Sequence, residues 1–433
     1  MPMHMRTSRT LNGAYLLAAL AAAALASPLR AQAPVFPPIP ISPENAPDPT
    51  VDWVTPFVQY QYTYDNNLFR LPSSPKDYLP GVTALPPGIS LADHLNTASA
   101  GVDGHWVISQ QSVDYGLEVD ENRFVRNTDL NNTSGTGKAV WNWSFASDLT
   151  GQLGANYSRS LAGFSDSFYF QRDIIDRQEY FFNGRYQIGP RWAVYGTLDD
   201  SYIKNQGTNQ EFNDLDLESG KVGVEMATSQ ANTIGAEYRF THGHYPHQDA
   251  TLNGVPFDPD YNENSGVVLV KYAPTEKTTL NADAGYLQRN YPDNPGVGAF
   301  SGDIWHLKFL WQATEKTSLS VTGSRDLQAY LYAQSDYFVQ QGVAASPVWV
   351  QSDKITWVAV VAWYKQDYIE ASFSNIVVGP RRDTLSSEQG GIQYTPIRAL
   401  VLTFDYRHEL RHSNQAAFGY TDNLASAGAK FKF

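Results

Sequence analysis

From Val51 to the end, the chain alternates apolar and polar residues over stretches of about ten residues, each stretch closed by a turn. In LTGQLGANYS, Leu149, Leu153, Ala155 and Tyr157 fall on one parity, while Gln152, Asn156 and Ser158 fall on the other. In TLNADAGYLQRN, Leu280, Ala282, Ala284 and Tyr286 oppose Asn281, Asp283 and Arg289. In ALVLTFDYRHEL, Leu400, Leu402, Phe404 and Tyr406 oppose Thr403, Asp405, Arg407 and Glu409. Successive side chains of a strand point to opposite faces, so this pattern predicts β-strands with one apolar and one polar face. No helical period competes with it.

Strand length and punctuation narrow the choice further. Segments of about 9–13 residues are long for a soluble sandwich and suit a tilted crossing of a bilayer. Short links such as Ser147-Asp148, Gly189-Pro190-Arg191, Thr314-Glu315-Lys316 and Lys365-Gln366 trade places with long ones at 65–94, 161–176, 205–214, 243–261, 291–300 and 329–352. APTEKTTL and QATEKTSL nearly repeat one another one hairpin apart, each followed by a strand. Short turns at one end and long loops at the other are the arrangement of an outer-membrane barrel. The expected fold is all-β, a transmembrane antiparallel β-barrel of about 18 strands running from 53–64 to 421–433, with strands expected at 317–328, 353–364, 367–378 and 385–395 near its end. A strand count that is even puts both chain ends on the periplasmic side. Propeller blades would instead repeat every 40 to 50 or so residues as four short strands.

Composition removes other classes. The chain has 433 residues, no Cys, 31 Lys+Arg and 44 Asp+Glu. Disulfides, thiol catalysis and cysteine-held metals are excluded, and the acidic balance gives nucleic acid no cluster of cations to bind. Past the N-terminus no apolar run is long enough for a membrane-spanning helix. The N-terminus itself reads as a secretory signal peptide, residues 1–33: Arg6 and Arg9 precede AYLLAALAAAALA, and Ala31-Gln32-Ala33 supplies the small residues of a cleavage site before Pro34. Its removal takes three basic residues and no acid, leaving a net charge of about −16. Residues 34–50 hold seven prolines and read as an extended periplasmic segment. The barrel is expected over 51–433.

Three constellations invite chemistry and fall short of it. His242, His244 and His247, with Asp249 near, lie where a strand enters a long loop, and polar rim residues explain them better than a metal site. DPDYNEN at 258–264 has the acid spacing of half a calcium loop, but Glu263 and Leu269 stand where Gly and Glu are needed. In RHSN, His412 and Ser413 are adjacent and would point to opposite faces of a strand. No cofactor, metal or catalytic residue is expected.

The polar parity of each strand, taken as facing the lumen, gives Asp103, His105, Asp114, Glu118, Asp120, Lys138, Glu179, Arg185, Lys221, Glu225, Glu237, Arg239, Asp283, His306, Lys308, Asp405, Arg407 and Lys430. Charges of both signs on a pore wall select by size and polarity, although any one of them is first expected to pair with its cross-strand neighbour. Arg70, Arg123, Arg159, Lys204, Arg239, Arg289, Arg325 and Arg407 end the outgoing strands, and a ring of cations there would meet lipopolysaccharide phosphates. Trp53, Tyr60, Tyr62, Trp141, Trp143, Tyr157, Trp192, Tyr286, Trp305, Trp311, Trp357 and Trp363 read as interfacial girdles. Tyr78, Tyr169, Tyr261, Tyr291, Tyr330, Tyr332, Tyr337 and Trp349 are placed in loops, where stacking on sugar rings and packing inside the mouth explain them equally well.

The stretch TPFVQYQYTYDNNLFRLP (55–72) resembles the opening of the outer-membrane barrel proteins encoded in exopolysaccharide biosynthesis operons. In that family an aromatic-rich strand runs into a Tyr-Asp-x-Asn-Leu-Phe-Arg-Leu turn, matched here by Tyr64, Asp65, Asn66, Asn67, Leu68, Phe69, Arg70 and Leu71. Asp-Asn-Asn favours a turn capped by side-chain oxygens, and Leu68 and Phe69 are expected to tuck into the mouth. The resemblance implies a part in polysaccharide export across the outer membrane as a passive conduit, with the polymer and periplasmic export proteins as partners beside lipid and lipopolysaccharide. A general or sugar-uptake porin, or a structural surface barrel, stands as the alternative.

Overall fold

The computed structural model describes residues 53–78, 85–165, 170–207, 210–229, 231–248, 250–252, 255–257, 259–292, 299–332, 335–369 and 380–433. The signal-peptide and proline-rich stretches, 1–33 and 34–50, lie outside the described residues.

One 18-stranded antiparallel sheet closes on itself. Its first half is β1 (Thr55–Asp65), β2 (Asp93–Ile108), β3 (Gln111–Phe124), β4 (Asn132–Phe145), β5 (Leu149–Leu161), β6 (Ile174–Ile188), β7 (Trp192–Asn205), β8 (Leu215–Ala227) and β9 (Thr233–His244). A two-stranded hairpin, β10 (Ala250–Leu252) and β11 (Val255–Phe257), stands apart in the next link. The barrel resumes with β12 (Tyr261–Thr275), β13 (Thr278–Asn290), β14 (Phe300–Gln312), β15 (Thr317–Tyr332), β16 (Ser335–Ser352), β17 (Ile355–Tyr368), β18 (Arg382–Ile397), β19 (Leu400–Ser413) and β20 (Tyr420–Lys432). Each strand pairs with its neighbours along the chain, and β1 pairs with both β2 and β20, so no edge is left.

The alternation decides which face meets lipid. Along β1, Phe57, Gln61, Thr63 and Asp65 are buried, while Val58, Tyr60, Tyr62 and Tyr64 are exposed on the outer surface. An exterior of apolar and aromatic side chains around a polar interior is stable only where hydrocarbon replaces water outside. The protein is therefore an outer-membrane barrel. Most of the expected girdle holds: Trp53, Trp141, Trp192, Tyr286, Trp311, Trp357 and Trp363 are exposed. Trp143 shares the outward parity of Trp141 but is covered by its neighbours Phe145 and Phe182. Its ring lies over Gly151, where a Cβ would come within 2.3 Å of Trp143 Cζ2, and that fit buries it.

The strand total is as expected, but one strand stands where a loop was expected. Residues 335–352, read as part of a long loop, form β16, and the expected link Lys365-Gln366 lies inside β17. The expected strand 367–378 is not found where it was placed: Asp367 and Tyr368 end β17, and 370–379 fall outside the described residues. Pro347 sits inside this strand although proline lacks a backbone donor: it faces Leu319 of β15, and the pairing to β17 passes from Ala345↔Val361 to Val348↔Val358. Trp349, expected in a loop, is consequently an exposed residue near the periplasmic end of β16.

Candidate functional site

Registers place all the sequence-selected lumen residues on the inner face. Phe57 and Gln61 of β1 fix the inward parity, and pairing carries it around the wall through Asp103, His105, Asp114, Glu118, Asp120 and Lys138 to Glu179 and Arg185. It continues through Lys221, Glu225, Glu237, Arg239, Asp283, His306 and Lys308, and returns by Asp405, Arg407 and Lys430. Many pair across strands. His105 Nδ1 stands 2.6 Å from Asp114 Oδ1, and Arg185 Nη1 stands 2.5 Å from Glu225 Oε2. Arg239 bridges Glu237 at 2.5 Å and Asp283 at 3.4 Å, while His306 lies between Asp283 at 2.9 Å and Asp326 at 3.3 Å. Much of the wall is thus a chain of ion pairs rather than a row of independent charges.

The expected ring of rim cations divides in two. Arg123, Arg159, Lys204 and Arg325 have outward parity, and Arg159 and Arg325 each hold a carboxylate at 3.2 Å, Asp176 and Asp303. Arg70, Arg239, Arg289 and Arg407 instead engage acids within the barrel and cannot neutralise lipopolysaccharide. Arg289 is buried, its guanidinium 2.8 Å from Glu263 and 4.0 Å from the centre of the Tyr261 ring. The sequence signal was available for Arg239, Arg289 and Arg407, which share parity with a strand's polar face, but not for Arg70, which lies in the turn beyond β1.

The outer mouth is narrowed from two sides. On one, the turn after β1 folds back onto the inner wall. Asn67 N donates to Asp65 Oδ1 at 2.8 Å, Asn67 Nδ2 donates to the Leu71 and Thr421 carbonyls, and Arg70 takes a left-handed backbone with φ 55°. These bonds drive Leu68, Phe69 and Leu71 into a buried cluster with Leu95, Phe124, Leu130, Leu161, Phe164 and Ile174. Full burial of Leu68 and Phe69 contributes roughly 1.5–3 kcal/mol each. On the other side Tyr245, Tyr261, Tyr291 and Tyr337 pack with Leu215, Val267, Leu287 and Ile304. Of the loop aromatics, Tyr261, Tyr291 and Tyr337 therefore pack inside the mouth, and Tyr78 packs partly buried against the first cluster. Tyr169 lies outside the described residues.

Arg70 is the centre of the first side. Its guanidinium reaches Asp65 and Asp422 at 3.0 Å each, and Glu409 at 3.9 Å. Burial alone would pull its pKa down, but the carboxylates of Asp65, Asp422 and Glu409 raise it above the ordinary arginine value, so the charge is permanent. Around it Arg407 lies 3.5 Å from Asp422, Tyr420 donates to Glu409 at 2.7 Å, and Arg411 donates to the Ser165 carbonyl at 2.7 Å. The turn also rivets the seam of the barrel: Asn423 N donates to Asn66 Oδ1 at 2.7 Å, and Asn66 N donates to the Asn423 carbonyl at 3.1 Å. Sequence reasoning marked this motif as a shaped turn and missed the partners, which lie more than 330 positions away on β19 and β20.

The histidines and the RHSN stretch have these partners. His242 Nδ1 pairs with Asn262 at 2.9 Å, His244 Nδ1 with Asp260 at 2.5 Å, and His247 Nε2 with Asp214 at 3.5 Å, so the three histidines have separate partners. Asp249 lies outside the described residues. Among the described residues no group of three or more His, Asp or Glu side chains is placed to hold a metal ion. On β19 the outward His412 is exposed, whereas Ser413 accepts from Gln415 N at 3.1 Å.

A closed barrel with a lipid-facing exterior, a polar lumen and a mouth narrowed by inward-folded turns is an outer-membrane β-barrel protein. A family model described as "Putative beta-barrel porin 2" matches residues 260–433. Among solved structures, the chain is similar to the outer membrane protein OpdK from Pseudomonas aeruginosa, at 9% identity and a TM-score of 0.47 over 88% of this chain and 99% of that one. Pseudomonas aeruginosa OccK9 gives 10% and 0.46 over 88% and 98%, and Acinetobacter baumannii OccAB3 gives 9% and 0.44 over 88% and 99%. No curated protein matches.

Proposed function

We propose that this barrel is a passive conduit that takes part in exporting an exopolysaccharide through the outer membrane. The observation that supports it is the Tyr64–Leu71 turn, which resembles the opening of barrels from exopolysaccharide operons and which here builds one side of the outer exit. An eighteen-stranded barrel is wide enough to enclose water. An extended polymer in it would exchange hydrogen bonds between water, sugar hydroxyls and the polar wall at little net cost. Nothing in the wall supplies energy, so the driving force comes from the cytoplasmic or periplasmic side, through export proteins acting as partners there. Deleting the gene is expected to abolish surface polymer and leave it in the periplasm. Unchanged surface polymer in the deletion strain overturns the proposal.

The second reading is a general or sugar-uptake diffusion porin, favoured by the family description matched over 260–433. It expects normal polymer in the deletion strain together with slower uptake of small hydrophilic solutes.

A further inference from the structure

The inner wall is not uniform around its circumference. On β15–β18, below the mouth, the described inward positions carry no charged side chain. β15 presents Ser320 and Thr322 and β18 presents Gln389, all half-buried, while Ser324, Gln340 and Ser387 are buried in the wall. Between them β17 offers the half-buried Val360; Val358 and Ala362 are buried, the first packed on Val348 and the second beside Tyr364 and Leu385. Acids and bases appear on this arc only towards the outer end, at Asp326 and Asp383. From β6 to β14 the wall is the opposite: it carries charges of both signs, some paired as in Arg185–Glu225, Arg239–Glu237 and His306–Asp283, together with the inward cations Arg177, Lys221 and Lys308.

From this asymmetry we propose that the channel's preferred cargo is an uncharged hydroxylated chain, a neutral polysaccharide, which travels along the β15–β18 arc. The inference rests on the conduit reading above and adds the substrate class. Serine and threonine hydroxyls and glutamine amides both donate and accept, so they match sugar hydroxyls in any rotation of the chain. Val360 of β17 gives the C–H faces of the rings an apolar spot to lie on without charge desolvation. A uronic-acid chain on the same arc would find cations only at its two edges, Lys308 opposite Thr322 and Arg407 opposite Gln389, the latter already held by Asp422. It would be drawn instead to the far wall, where the ion-paired cations already face carboxylates of their own. Polymer and hydrated ions therefore pass side by side, each along its own arc.

The test uses the purified protein in planar lipid bilayers, with a neutral gluco-oligomer and an oligogalacturonate of equal length as blocking probes. The neutral probe is expected to interrupt the current at a concentration about tenfold lower than the uronate, and Gln389→Glu is expected to raise its half-blocking concentration about tenfold. Ser320→Glu makes the same measurement from β15 should the first variant fail to assemble. Gln288→Glu, of outward parity on β13, is the control. Equal or stronger blocking by the uronate, no blocking by either probe, or unaltered blocking in both arc variants overturns the inference. The gene deletion separates this from the broader reading: polymer lost in the deletion strain with uronate-preferring blocking overturns the cargo class alone, whereas unchanged surface polymer overturns the conduit.

Discussion

Replacing Arg70 with alanine tests whether the outer turn is latched electrostatically. The side chain is buried, and its removal leaves Asp65, Asp422 and Glu409 facing one another without the guanidinium that now lies 3.0, 3.0 and 3.9 Å from them. Breaking a buried pair by deleting one partner costs about 3–5 kcal/mol, because the remaining charge stays buried. Backbone strain does not offset this, since alanine meets the same penalty as arginine at φ 55°. The loss falls on the turn and not on the strand ladder, so the barrel remains assembled while the open population of the turn rises by about 10²–10³-fold. The chain contains no cysteine, so a single Leu68→Cys, at a position that is 2% exposed, reports opening through its rate of thiol labelling. When closing outruns labelling, that rate follows the open population. A labelling rate in the Arg70→Ala background within about threefold of that in the Leu68→Cys parent would refute the latch, given the size of the expected change.

Three further outcomes follow from the same geometry. Ala146 holds φ 57° in the turn between β4 and β5, so Ala146→Gly is expected to stabilise the barrel by about 1 kcal/mol, read as a higher urea midpoint in lipid vesicles. Val222→Arg on the lipid face of β8 is expected to cost about 2–4 kcal/mol in the same assay, whereas Thr197→Arg at an inward position of β7 costs far less; equal costs would reverse the assignment of faces. Gly101 lies under Phe57, with a Cβ there 2.4 Å from Phe57 Cζ and 2.5 Å from the Leu117 carbonyl oxygen, so Gly101→Val is expected to destabilise by about 1–3 kcal/mol. An unchanged unfolding midpoint would remove the contact from the account.

What the sequence discloses and what it hides follow one physical division. Parity is a local property: a residue's face is set by the residues beside it, so Asp283, His306 and Arg239 could be placed on the lumen wall before any strand was paired. Pairing partners are set by closure, which no local pattern carries. Arg70 and Arg407 therefore read as rim cations, although the first is held by acids on β19 and β20 and the second by Asp422. The strand at 335–352 was hidden for a related reason, since whether a strand tolerates the missing donor of Pro347 depends on the neighbour at that height. The inward folding of Leu68 and Phe69 was legible because two apolar residues in an Asp-Asn-Asn turn have few places to go.

The bond between β1 and β20 also has a consequence in time. Thr55–Asp65 has no lasting partner on that flank until Leu424–Lys432 arrives, after nearly the whole polypeptide has been synthesised and delivered. Until then the first strand is an unclaimed sticky margin, and a nascent barrel must be guarded against zipping to a stranger. The bonds of Asn66, Asn67 and Arg70 to Asn423, Thr421 and Asp422 form only when that last partner is in position, so the motif acts as the clasp on a finished hoop, and a chain cut short at its tail would have nothing for the clasp to catch.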